Sequence, residues 1–260
     1  MRVAREPADS LLVGLDVDST GVATLSLDDV AGQNTMSEPL VTQLIERLHE
    51  VAVAPQVKVV VLKGLPQVFS GGASRELLDN LMRGEVALSD ILLPRAMFDL
   101  PVPTIAALEG HAIGGGLALG LCADLVLIAR ESRYGCSFLN MGFTPGMGMT
   151  RLLEHLLAPA MAHEMLFTGQ AFKGAHFEGR SGFNYILPRA EVLPKAYELA
   201  GRIAEKPRVA VELLKRALSL GRRQLFEATR TIETFMHQIS FAQTDAARLV
   251  AEHYGTYSES

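Results

Sequence analysis

The chain has 260 residues, 48% hydrophobic and 20% charged, which is long enough to bury a full core and too apolar for a disordered chain. A formal charge of −5, with no basic stripe interleaved with aromatics, gives no field to gather phosphates and sets nucleic acid aside as a partner. Cys122 and Cys136 lie in apolar runs at no metal or redox spacing and read as buried reduced thiols of a cytoplasmic protein; "MRVAREPADS" has no apolar run behind it to make a signal peptide, and Glu109, His111, Asp124 and a glycine cluster interrupt residues 105–129 as a membrane span.

In chain order, Leu11 to Leu27 reads as a hairpin turning at "DST" before Gly21. Ser37 caps a helix through His49, with Leu40, Leu44, Ile45 and Leu48 at helical spacing. "VKVVVLKG" is a buried strand, "ASRELLDNLMRG" a helix ended by Gly84, and "LSDILLPRAMFDL" another helix. "PTIAALEG" is again a strand, "GGGLALGLCA" a helix and "DLVLIA" a strand. This recurrence of strand, glycine turn and helix predicts an α/β layered fold with parallel pairing.

After Pro188 three segments, "LPKAYELAGRIAEKP", "PRVAVELLKRALSLG" and the run from Arg222 to Tyr254, are all helix-patterned. Residues 1–188 therefore read as the core and 189–260 as a helical C-terminal region. The last helix carries Phe226, Ile232, Phe235, Met236, Ile239 and Phe241, apolar almost all round its middle, so its second face is expected to be covered, for example by another subunit.

"GHAIGGGLALGLCAD", residues 110–124, places three glycines between a strand and a helix. Glycines there let the backbone approach a ligand, and the N–H groups that open the helix bind negative oxygen, either a phosphate or a thioester enolate. The same glycines equally serve tight packing of helix on strand. A second turn, "VFSGGAS", also follows a buried strand and precedes a helix, so two turns can supply one donor each to a single oxygen.

"VFSGGAS", "PTIAALEGHAIGGGLALGLCADLVLIARES", "GFTPGMGMTRLL" and "FTGQAFKGAHFEGRSGFNYILP", in that order, resemble the signatures of the crotonase (enoyl-CoA hydratase/isomerase) superfamily over roughly residues 11 to 205. The resemblance implies a spiral of strand-strand-helix units with a helical C-terminal region that completes the site and the interface of a homotrimer or dimer of trimers. It also implies an oxyanion hole made by the backbone N–H groups of Ala73 and Gly115, with Gly114 beside them, for the thioester carbonyl of an acyl group on a phosphopantetheine arm. Hydratases of the superfamily carry two glutamates, and the matching positions here are Ala118 and Phe138, neither of which accepts a proton. Phe138, Asn140 and Met141 are expected to line the acyl pocket.

Within the superfamily, "GGASRELLDNLMRGEV", "FLNMGFTPGMG" and "ETFMHQISF" are similar to the decarboxylases of polyketide β-branching cassettes. That likeness implies loss of CO2 from a 3-methylglutaconyl-type group on an acyl carrier protein, with no other cofactor and no membrane partner, to give a 3-methylcrotonyl-type product. Decarboxylation needs an oxyanion hole and no general base, because the electron pair is already present. His237 matches the active-site histidine of that group, and an ordinary pKa near 6.5 suits it to deliver the closing proton. Some members have a tyrosine and a lysine where Leu77 and Leu81 stand, which leaves the grip on the carboxylate to be found, with Arg75 and Arg83 as neighbouring candidates.

Other motifs carry less. His111 is expected to be structural, Asp124 to cap or pair, and "HEMLF" at His163 lacks the second histidine of a zinc helix, so no metal is assigned. Ser137 in "GCSFL" has no base nearby in sequence. The alternatives to a decarboxylase are a non-catalytic carrier-protein binder, which a missing polar pair would suit, and an acyl-CoA isomerase or dehydratase.

Overall fold

The computed structural model describes residues 11–86 and 92–255, so "MRVAREPADS" and the start of "LSDILLPRAMFDL" lie outside the described residues. β1 (Val13–Val17) and β2 (Val22–Leu27) form the expected antiparallel hairpin, its turn held by Asp18, whose carboxylate accepts the Thr20 and Val22 N–H groups. α1 (Glu38–Val53) begins where Ser37 Oγ accepts the Leu40 N–H, and it runs past His49 because Val51 continues the buried stripe of Leu40, Leu44 and Leu48.

Three consecutive units then share one plan. β3 (Val59–Lys63) and β4 (Val68–Ser70) lead into α2 (Arg75–Met82). After α3 (Leu93–Asp99), β5 (Thr104–Leu108) and β6 (His111–Ile113) lead into α4 (Gly115–Leu121). β7 (Leu125–Ala129) and β8 (Arg133–Gly135) lead through a 3-10 turn at Leu139–Met141 into α5 (Met149–Leu157). α6 (Pro159–Thr168), β9 (Ala171–Lys173) and β10 (Tyr185–Leu187) follow. The first strand of each unit joins a six-stranded sheet, β1-β2-β3-β5-β7-β10, and the second a four-stranded sheet, β4-β6-β8-β9. This is the spiral of strand-strand-helix units that the resemblance implies.

α7 (Arg189–Ala204) follows β10 and packs as a layer of the core. Val192, Ala196 and Ala200 cover Val59, Val61, Ile105 and Leu127 on the outer face of the larger sheet. α8 (Arg208–Phe241) is one helix of 34 residues, where the sequence suggested a break at Gly221. A mid-helix glycine costs about 1 kcal/mol. Here it is bracketed by Lys215 and Arg222, which both bind the Asp124 carboxylate, Lys215 at 2.6 Å. The Asp124 oxygen that takes Lys215 also accepts the Thr104 N–H and hydroxyl. The break falls instead at Ala242–Gln243, after which α9 (Thr244–His253) folds back and buries Ala246 and Val250. Phe226 is buried, whereas Ile232, Phe235 and Ile239 are exposed on the outer side of α8.

With Lys215 only 3% exposed, removing its counter-charge leaves a buried cation unpaired. Asp124→Ala is therefore expected to destabilise the fold by about 3–5 kcal/mol, measured by urea denaturation. A loss within experimental error would show that the cluster does not hold α8.

Candidate active site

The parallel register sets Ser70 beside Ala112 and Ile113 beside Gly135, so the chain leaves β4, β6 and β8 at one edge of the smaller sheet. The residues that follow meet around a cavity of about 630 Å³, open mouth included. Gly72, at φ +91°, permits this meeting: a Cβ there would lie 2.8 Å from the Ile113 carbonyl oxygen and 3.7 Å from the Gly115 nitrogen. The three glycines of the second turn have separate reasons. Gly114 adopts φ +52°, which side chains rarely take. A Cβ on Gly116 would press to 2.4 Å from the Ser70 carbonyl oxygen, so that position serves packing. A Cβ on Gly115 would enter the cavity wall, 3.2 Å and 3.3 Å from the sulfurs of Met36 and Met147.

The two backbone donors expected here are set by hydrogen bonding elsewhere. In the parallel bridge between Met36 and Ala73, Met36 N–H donates to the Gly72 carbonyl and Ser74 N–H donates to the Met36 carbonyl. That pattern turns the N–H and C=O of Ala73 itself to the opposite side. Gly115 is the first residue of α4, where an N–H has no intrahelical acceptor. Among the described residues no backbone acceptor takes either group.

Ala73, Leu77, Leu81, Gly114, Gly115, Phe138, Met141 and His237 all line this cavity. Two residues expected there do not. Ala118 is wholly buried within α4, one turn inside the helix, and Asn140 points away, its Nδ2 donating to the Gly169 carbonyl at 3.1 Å. Arg75 and Arg83 also stay outside, paired on the surface with Asp79 and Glu85. The lining, among the described residues, holds no Asp, Glu, Lys or Arg; its side chains with nitrogen or oxygen are Ser137, His237 and Tyr254. Tyr254, just after α9, was not singled out by the sequence; its hydroxyl donates to the Ala73 carbonyl at 3.2 Å, and burial raises its pKa.

His237 reaches the cavity because α8 is pinned one turn earlier. The buried Glu233 carboxylate accepts the N–H groups of Gly148, at 2.7 Å, and Thr150, at 3.0 Å, at the start of α5. Burial raises the Glu233 pKa against those bonds. The His237 ring packs edge-on to Phe143 and Phe241, with centroids 5.8 Å and 5.0 Å away, and among the described residues neither ring nitrogen completes a hydrogen bond of regular geometry. Burial pushes its pKa down to about 4, with the Thr144 and Pro145 backbone offsetting part of the effect. The ordinary pKa near 6.5 expected of this histidine is thus corrected downward by its burial.

The remaining polar motifs are structural. His111 Nδ1 accepts the Arg133 N–H, and burial pushes the Cys122 thiol up to about 12.

Residues 18–259 match the family model described as enoyl-CoA hydratase/isomerase. The chain is 34% identical to the bacillaene synthase decarboxylase PksI of Bacillus subtilis, over 93% of this chain and 96% of PksI. It superposes with TM-score 0.90 and 35% identity, covering 94% of this chain and 99% of the other, on a structure from a dehydratase/decarboxylase enzyme couple of polyketide β-branching. A decarboxylase domain of CurF from Lyngbya majuscula gives TM-score 0.86 and 34% identity, covering 94% of this chain and all of that one (100%).

The buried neutral imidazole also makes stability pH-dependent. Unfolded His237 titrates near 6.5 and folded His237 near 4, so the unfolded chain binds the extra proton between those values. Its contribution is complete above about pH 6.5 and lost as the pH falls toward 4. The melting temperature of the wild type is expected to fall more steeply from pH 7 to pH 4.5 than that of His237→Gln, and parallel curves would contradict the buried neutral state.

Proposed function

Because the chain belongs to the enoyl-CoA hydratase/isomerase family and is an enzyme of the decarboxylating kind found there, we propose that it removes CO2 from a 3-methylglutaconyl-type thioester carried on an acyl carrier protein. The observation that carries this reading is the pairing of two free backbone N–H groups, on Ala73 and Gly115, with a cavity wall lacking any carboxylate among the described residues. Water addition by paired acids has no acid to use. Decarboxylation needs none.

In the reaction the bond between the γ-carbon and the carboxylate breaks, its electron pair enters the conjugated thioester, and CO2 leaves. The thioester oxygen takes up negative charge, and the two N–H groups are already aimed where it develops. Hydrocarbon from Leu77, Leu81, Phe138 and Met141 keeps that charge dry and strengthens both bonds. One proton then ends on the γ-carbon to give the 3-methylcrotonyl-type product, so the balance is one carboxylate and one proton in, one CO2 out. His237 is neutral while the carboxylate is intact and takes its proton from solvent as the enolate charge forms, because an opposite charge within about 4–6 Å favours the charged imidazolium.

An adjoining groove of about 850 Å³ shares Met36 and Leu77 with the cavity and is lined by Glu38 and Glu76, with no Lys or Arg among its described residues. It gives room to an uncharged pantetheine arm and repels a nucleotide diphosphate, which favours a carrier-protein thioester over a coenzyme A ester. The exposed apolar side of α8 supports assembly of several copies, and a trimer is the arrangement we propose.

Intact-mass spectrometry of 3-methylglutaconyl carrier protein is expected to show loss of CO2, and an unchanged mass would sink the reading. Gly115→Val, whose branched side chain would fill the oxygen site, is expected to keep the fold and lose about 10² to 10³ in rate. His237→Ala is expected to slow turnover by about 10² to 10⁴, or to move deuterium from the γ- to the α-carbon in heavy water. Wild-type rate and deuterium position in that variant would leave His237 a packing residue.

A further inference from the structure

The cavity holds one hydroxyl that no described residue uses. Ser137, 6% exposed, lines it from the segment that leaves β8, and its Oγ has no hydrogen-bond partner among the described residues. Buried hydroxyls are nearly always paired, because an unpaired one keeps its desolvation cost with no return. The Tyr254 hydroxyl is committed to the Ala73 carbonyl, so Ser137 is the hydroxyl left free to bind something else. It stands on the wall built by β8, next to Phe138, whose ring packs against the position of Gly114.

We infer that Ser137 receives the substrate's free carboxylate, donating its hydroxyl hydrogen to a carboxylate oxygen. This inference rests on the decarboxylase reading and deepens it. The thioester oxygen is served by the Ala73 and Gly115 N–H groups, so a substrate with a second polar end needs another donor. The α2 wall gives only hydrocarbon, from Leu77 and Leu81, and no cation lines the cavity among the described residues. A carboxylate in this cavity therefore meets neutral donors. A neutral grip suits the chemistry, since an ion pair would stabilise the starting carboxylate and vanish with the CO2, and only interactions stronger in the transition state accelerate the step.

The test compares two pantetheine thioesters that share a skeleton and react no further: 3-methylglutaryl-pantetheine, which keeps the carboxylate but has no conjugated double bond, and 3-methylbutyryl-pantetheine, which lacks the carboxylate. Calorimetric titration of Ser137→Ala is expected to show about ten- to a hundred-fold weaker binding of the first and unchanged binding of the second, the effect of one hydrogen bond to a charge. Ser137→Cys, with a weaker donor of similar shape, is expected to fall between. The melting temperature of Ser137→Ala is expected to hold or rise, since an unpaired buried hydroxyl is removed. Equal weakening of both ligands, no weakening of either, or a melting temperature several degrees lower would each overturn the assignment. If the wild type releases no CO2 from 3-methylglutaconyl carrier protein while Ser137→Ala still separates the two ligands, the decarboxylase reading fails and the carboxylate site stands.

Discussion

The site exists because β4, β6 and β8 pair in parallel, β4 meeting β6 through an irregularity between Val68 and Ser70. Each has three residues, too few for ladder hydrogen bonds alone to fix the alignment. Backbone contacts that admit no side chain do it instead: Gly110 against Val68, Gly116 against Ser70, and Gly72 against Ile113. A slip of one residue would reverse every side chain and peptide along a strand. In the observed register, three successive turns deliver the Ala73 N–H, the Gly115 N–H and the Ser137–Phe138 wall to one edge. The chemistry is thus a property of backbone alignment before it is a property of any side chain.

The second half of the site arrives on α8, and it is placed by charge. Asp124 holds one end of the helix through Lys215 and Arg222, and Glu233 holds the other by accepting the N–H groups at the start of α5. Buried ionic contacts of this kind add little net stability compared with apolar packing, yet they fix where a helix sits. Here they fix the rotation and height of His237 over an apolar cavity. The cavity wall in turn leaves Ser137 and His237 under-satisfied, a local cost that the large aliphatic core around the sheets can carry.

Most of the fold was legible because each strand and helix announces itself by its own period. The hairpin, the capped α1 and the buried β3, β5 and β7 follow directly from local pattern. The three-residue strands β4, β6 and β8 do not, since so short a strand has no period and hides inside what reads as a glycine turn. Gly221 misled for the opposite reason, as a tertiary contact overrode a local preference. At the site, alignment of motifs pointed to Ala73, Gly115 and His237, but it carried Ala118 and Asn140 along by position while their side chains face elsewhere. The pKa of His237 was out of reach because it is set by Phe143 and Phe241, of which only Phe241 is close in sequence. In the sequence Ser137 reads only as a serine without a nearby base, whereas what distinguishes it is the lack of a partner among the described residues, which only packing reveals.

The contact between Tyr254 and the Ala73 carbonyl joins a turn made early in the chain to a residue made near its end. During synthesis both glycine turns and the Ser137 wall are complete while α8 and α9 are still to come, and contacts of such long separation are the slow ones to form. Without residues 208–254 the apolar cleft lacks the part of its wall that His237 and Tyr254 supply. The cleft is therefore closed from the later part of the chain, since His237 and Tyr254 reach its wall only when residues 208–254 dock.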